Sequence, residues 1–292
     1  MLTTRQEPER QQTQGFKKWE DLDISDDFIF TRVMRNKRLC RTLLEMILKV
    51  RVGEIRFLTS RHAIQIDPGA KGIIMDVYLK DEDKVINVEM QTANHGDLAK
   101  RARYYQAAAD IDTTPKGSRY RDLRQNYVIF ICKFDPFGRG KPLYHFQNYC
   151  LEHGEPIPLE DGTTKIFLNT ACKALDCLDG ELRLFYDYMS KKPAQTDFTR
   201  ELDNSISKLK EEKEERSMYL TYTSRMMECR QEGISIGLER GLAQGAYQNK
   251  LETARSLMQD GFSAEMISKY TSLPLETVEH LESEPLELGS EE

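Results

Sequence analysis

The sequence predicts an α/β domain on a mixed sheet followed by an all-α extension, and three stretches carry that reading. "IIMDVYLKDEDKVINVEMQ", from Ile73 to Gln91, is two apolar runs joined by an acidic turn, the pattern of a hairpin. "YVIFICKF", from Tyr127 to Phe134, is almost continuously apolar, as in a strand buried on both faces. Beyond Pro193 the chain turns charged, and its few apolar residues recur at helical spacing. A helix, strands, helix, strand order in the first two thirds means layers of helix on sheet.

With 292 residues the chain can build one sizeable core and a smaller appendage. The expected parts are a mobile tail (1–20), a core domain (21–192), a long charged helix (193–250), a small helical module (251–283) and an acidic tail (284–292). No apolar run approaches the roughly 20 residues a membrane span needs, and the N-terminus has no apolar leader, so the expected location is the cytoplasm. Six cysteines without a C-x-x-C pair fit reduced thiols. Cys150, His153, Cys172 and Cys177 match no common zinc spacing.

Taken in order, Asp26 and Asp27 precede "FIFTRVMRNKRLCRTLLEMILKV", whose Phe30, Val33, Met34, Leu43, Leu44, Ile47 and Leu48 predict a helix. "EIRFLTSR" reads as a strand, "AIQIDP" as a short second one, and "PGAKG" as a turn. After the hairpin, Asp97 can cap "LAKRARYYQAAADI", with Leu98, Ala102, Tyr105 and Ala109 inward and Lys100, Arg101 and Arg103 toward solvent or a ligand. Further strands fall near "LYHFQNY" and "TKIFLN".

The net charge of -6 does not advertise a nucleic-acid partner, but its distribution does. Between Asp97 and Lys141 ten Lys and Arg face five Asp, a local +5, which suits an anionic partner or a solvated surface. In the long helix Gly233, Gly237, Gly241 and Gly245 recur every fourth residue. Each costs about 1 kcal/mol against Ala, so the ridge is either a close-packed self-association surface or a flexible spacer. "LETARSLMQDGFSAEMISKYTSLPLETVEHL" predicts helix, Gly turn, short helix, turn, helix, which suits a helix-turn-helix module or a docked cap.

The hairpin raises the chemical question. A loop symmetric about Glu82 and Asp83 pairs positions summing to 165, which sets Asp76 opposite Glu89. By alternation Ile74, Asp76 and Tyr78 share one face with Val85, Asn87, Glu89 and Gln91. Two carboxylates so placed repel unless one is protonated or a cation lies between them. One reading is a divalent ion held by Asp76 and Glu89, with Gln91 lending an oxygen or orienting a water; the other is a surface hairpin with solvated acids. Oxygen donors without His or Cys suit Mg²⁺, Mn²⁺ or Ca²⁺. Lys100, Arg101, Arg103, Tyr104 and the loop residues Arg119, Arg121 and Arg124 could hold a phosphate backbone against such an ion.

"SDDFIFTRVM", "IIMDVYLKDEDKVINVEMQT", "KRARYYQ" and "YVIFICKFDPFG" together resemble the PD-(D/E)XK nuclease family transposases, relatives of the recombination-promoting nucleases. The resemblance runs from Asp26 to Asn169, and the glycine ladder with its "GFSAEMISKYTSLPLETV" ending is also similar to that family's tails. It implies a restriction-endonuclease-like fold and phosphodiester cleavage of DNA, with Asp76 and Glu89 as metal ligands, Mg²⁺ foremost. It also implies that Asp27 completes the metal site and that the activity belongs to recombination or mobile elements. Gln91 stands where the broader superfamily has Lys, Met75 replaces the Pro of the family's name, and Ser272 sits where related tails often have Gly. The alternative the residues allow is a catalytically weak DNA-binding protein that oligomerises through its C-terminal helices.

Overall fold

A computed structural model describes residues 16–65, 69, 71–152 and 154–283. Most of the expected N-terminal tail, the acidic tail, His153 and most of the "PGAKG" turn lie outside these residues. The end of that tail is ordered. Trp19 is only 4% exposed, edge-on to Phe28 at 6.0 Å and against Tyr219 at 5.6 Å.

The first helical pattern resolves into two helices, α1 (Asp27–Val33) and α2 (Lys37–Leu48). The break has a local cause: the Asn36 side chain accepts from the N–H groups of Arg38 and Leu39, so it starts a new helix where periodicity alone suggests continuation. The two strands expected after it are instead one, β1 (Phe57–Ile64), followed by β2 (Ile73–Lys80) and β3 (Lys84–Gln91). Next come α3 (Leu98–Thr113), β4 (Gln125–Cys132), β5 (Leu143–Phe146), a small hairpin of β6 (Tyr149–Cys150) and β7 (Ile157–Pro158), and β8 (Thr163–Asn169).

The main sheet has six strands in the order β1-β2-β3-β4-β8-β5. β3, β4 and β8 run parallel at its centre, and β1-β2, β2-β3 and β5-β8 pair antiparallel. β4 has the expected central place, with Val128 to Cys132 all at 0% exposure. Val128, Phe130 and Cys132 pack beneath α3 with Tyr105, Ala102 and Phe167. Strand alternation sends Ile129 and Ile131 to the other face. Truncating Phe130 to Ala would cost about 3–5 kcal/mol.

Helix α4 (Gly180–Met189) is capped by Asp179, and the long charged pattern then divides into α5 (Asp197–Glu211) and α6 (Lys213–Gln259), with Glu212 extended between them. The compact unit that contains the sheet runs through Tyr219, past the expected boundary at 193. The reason is the amphipathic face of α5: Phe198 meets Phe185 at 6.1 Å, Leu202 is fully buried, and Trp19 Nε1 donates to the Lys210 carbonyl at 3.2 Å.

The second unit, residues 220–292, contains the rest of α6, α7 (Ala264–Thr271) and α8 (Leu275–Ser283). Ala254, Ile267, Leu273 and Val278 form its small core. The turn between α7 and α8 passes through Ser272 at φ 57°, a left-handed conformation that favours glycine. No helix among the described residues is long and apolar enough to cross a membrane, and all six cysteines are free thiols.

Candidate active site

The hairpin register is the expected one: Val77 faces Val88, Tyr78 faces Asn87, Leu79 faces Ile86 and Lys80 faces Val85. One step further the regular ladder gives way to side chains. The Asp76 N–H donates to Glu89 Oε1 at 3.0 Å, and the Met90 N–H donates to Asp76 Oδ2 at 3.0 Å. Each strand thus sends a carboxylate to accept a backbone proton of the other. A Thr or Val at either position would leave a backbone donor unmet, which explains part of the preference for acids here.

The face assignment needs a correction. Strict alternation puts Ile73 and Met75 opposite Tyr78, yet all three belong to the cluster beneath α3. The break coincides with Arg61 in β1, which lies between the pairs Ser60–Val77 and His62–Met75 and therefore stands across from Asp76. Its φ is +60°, and a non-glycine residue there costs about 1–3 kcal/mol. A left-handed residue reverses the alternation, so His62 turns under the helix and stacks on Tyr78 with ring centroids 4.6 Å apart.

Glu89 is 2% exposed, and its carboxyl is pushed well above the ordinary value, chiefly by burial and then by the Asp76 charge. Asp76 is raised to about 6, again first by burial, with Asp27 pushing the same way; the Met90 N–H, Arg61 and Arg101 pull it down. These are the shifts expected of two carboxylates sharing one desolvated space. A divalent cation between them would reverse both, so the donor set fits a hard ion. Asp27, at the start of α1, is near enough to act on Asp76. Among the described residues, however, no group of three acidic, His or Cys side chains has metal-holding geometry.

Arg101 departs from its expected place on the outer, DNA-facing side of α3. Its Nη2 lies 3.7 Å from Glu89 Oε2 and donates to Tyr105 OH at 3.2 Å, while Nη1 donates to Gln91 Oε1 at 3.0 Å. The guanidinium also sits over the rings of Tyr105 and Phe130, at 5.4 and 5.6 Å. It turns inward because one helical turn separates Arg101 from Tyr105, and both overlie the end of β3. The Gln91 amide oxygen, expected to serve an ion or water, is therefore engaged by Arg101. Tyr105, read from sequence as packing alone, is also part of this polar group.

The remaining basic residues divide. Lys100 and Arg103 are exposed on α3, at the site's end of the helix, and Arg121 is exposed on the loop after it. Tyr104 donates to the Lys71 carbonyl at 2.6 Å, and Arg119 pairs with Asp122 at 3.1 Å. Arg124 is not placed for DNA: its Nη1 donates to the Asp81 and Glu82 carbonyls at 2.6 and 2.9 Å, tying the loop to the turn of the hairpin. That turn is roughly 17 Å along the strand from Asp76, so the loop and the acid pair occupy opposite ends of the hairpin.

A mixed sheet that opens a hairpin around two facing carboxylates, with a basic helix at the same end, defines a nuclease-like site. The chain belongs to the PD-(D/E)XK nuclease family transposases, whose profile matches residues 25–226. No match was found among curated proteins or among solved structures. The family carries a nuclease-like, transposase-associated function.

Proposed function

We propose that the chain is a divalent-metal-dependent DNA endonuclease whose ion, Mg²⁺ foremost with Mn²⁺ or Ca²⁺ as alternatives, is held by Asp76 and Glu89. The observation that carries this reading is the pairing of two largely buried, charge-strained carboxylates at the open end of the hairpin. A bound ion would supply an activated water and stabilise charge on the phosphate under attack. Asp27 supports the ion from α1, through field or water. Arg101 holds Gln91 and neutralises Glu89, so Gln91 can present its amide group to a water only in the orientation Arg101 sets. Lys100 and Arg103 supply contacts to the backbone phosphates. Base-specific readout has no obvious element, in keeping with a recombination or mobile-element nuclease of relaxed specificity.

Plasmid nicking with Mg²⁺ or Mn²⁺ tests the reading: the wild type should nick and Asp76→Ala should not. Equal nicking by both would reject the assignment.

A second reading, a DNA-binding protein with little catalysis that self-associates through its C-terminal helices, draws on two observations. Arg101 already stands beside Glu89 and engages Gln91 without an ion. A Cβ on Gly233, Gly237, Gly241 or Gly245 would meet nothing within 4 Å, so the single chain does not require those glycines. A second copy would give them a purpose, and a homodimer through residues 197–250 belongs to either reading.

A further inference from the structure

The basic residues that sequence assigns to nucleic acid all lie between Lys100 and Arg124, on or after α3. The acid pair has a second cationic flank, on β1 and α1. Arg61 stands across the β1-β2 ladder from Asp76, exposed, in a left-handed conformation that a glycine would adopt without strain. Its charge acts on Asp76, and it also acts on Arg32 in α1, the helix packed against β1. Arg35, exposed just past the end of α1, acts on the same Arg32 guanidinium, so three arginines crowd one edge of the site. Of these, Arg32 is committed: its Nε pairs with Glu215 at 3.0 Å, and both side chains are mostly buried.

Holding an arginine in a conformation suited to glycine, beside two others of like charge, works against folding stability. A polyanion laid across that edge would relieve the repulsion, and a phosphate beside Asp76 would take the guanidinium as a paired donor. We propose that Arg61, with Arg35 behind it, forms a phosphate-binding subsite on the Asp76 side of the acid pair, contacting the DNA backbone opposite the contacts from α3. This rests on the nuclease reading for its substrate, and it places the strand between two basic flanks.

The test measures binding and cleavage separately, in the full chain. Wild type, Arg61→Gly, Arg61→Lys, Arg35→Ala and Asp76→Ala are compared, with Arg200→Ala on α5 as a control for loss of one charge. Anisotropy of a labelled duplex across a salt series reads binding, Mn²⁺-dependent nicking reads turnover, and thermal unfolding reads the fold.

Arg61→Gly should melt at or above the wild-type temperature, because the left-handed backbone is relieved. Its DNA affinity should fall about tenfold at low salt, and the slope of log affinity against log salt should drop by about 0.9 for one lost phosphate contact. Nicking should fall by about 100-fold, Arg61→Lys should recover the salt slope, and Arg35→Ala should show a smaller loss of affinity. Wild-type affinity and slope in Arg61→Gly, or losses no larger than those of Arg200→Ala, would overturn the subsite. If the wild type itself fails to nick, the nuclease reading falls, and the anisotropy comparison still decides the fate of Arg61.

Discussion

Asp76 and Glu89 face each other across the β2-β3 hairpin, and each accepts a backbone proton from the other's strand, at 3.0 Å in both directions. The acids are therefore structural and chemically poised at once. Their oxygens complete the ladder, while their charges oppose it.

The pH dependence of stability follows from the sign of the Asp76 shift. Its folded-state pKa, about 6, lies above the ordinary carboxylate value, so the folded form holds the proton more tightly. The resulting stabilisation is complete below pH 4 and is lost as pH rises through 6, by on the order of 2–3 kcal/mol. Metal-free thermal melts from pH 4 to 7 should show this decline, after subtraction of an Asp76→Asn variant that lacks it. Parallel curves for the two proteins would contradict the shift.

A divalent ion should cancel that penalty. At pH 7.5, Mn²⁺ at a hundred times its dissociation constant should stabilise the wild type by about 2.7 kcal/mol. Glu89→Gln, which keeps an oxygen for the Asp76 N–H, should fold but lose the Mn²⁺ response. A response retained in that variant would place the ion elsewhere.

Arg101 stands in for part of that ion's charge in the metal-free protein. Arg101→Met should lower metal-free stability by about 1–3 kcal/mol, since a buried carboxylate loses its nearest cation. Added Mn²⁺ should restore most of the loss, as denaturant titrations with and without the ion would show.

Arg124 serves the hairpin turn. Its replacement by Ala should cost about 1–2 kcal/mol through two lost charge-assisted hydrogen bonds. Because that turn lies at the far end from Asp76, nicking activity and the salt slope of DNA binding should remain at wild-type levels when both are measured below the melting temperature.

Ser272 occupies a glycine-type conformation between α7 and α8. Ser272→Gly should stabilise that turn by about 0.5–1 kcal/mol, seen as slower amide exchange across both helices in the full chain. On α6, Gly237→Leu with Gly241→Leu should leave the helix intact, since nothing within 4 Å would clash. The same pair should lower the mass in solution if a second copy packs on that ridge.

Much of this was legible in the sequence because it depends on neighbours along the chain. The acidic turn of the hairpin is symmetric about Glu82 and Asp83, so pairing from Val77 with Val88 outward could be counted, and Asp76 had to meet Glu89. The unbroken apolar run of β4 marked a strand with cover on both faces.

Tertiary structure decided what local pattern leaves open. Periodicity cannot register a cap such as Asn36 inside an apolar repeat, so one expected helix became two. Nor can it foresee a left-handed Arg61, which reversed the alternation of β1 and moved His62 beneath the helix. The inward turn of Arg101 onto Glu89 and Gln91, and the capture of Arg124 by the hairpin turn, depend on which surfaces the fold brings together. Sequence supplies the charges and their spacing, but a long flexible side chain goes where unmet hydrogen-bond acceptors lie, and those acceptors exist as neighbours only once the sheet and α3 have packed.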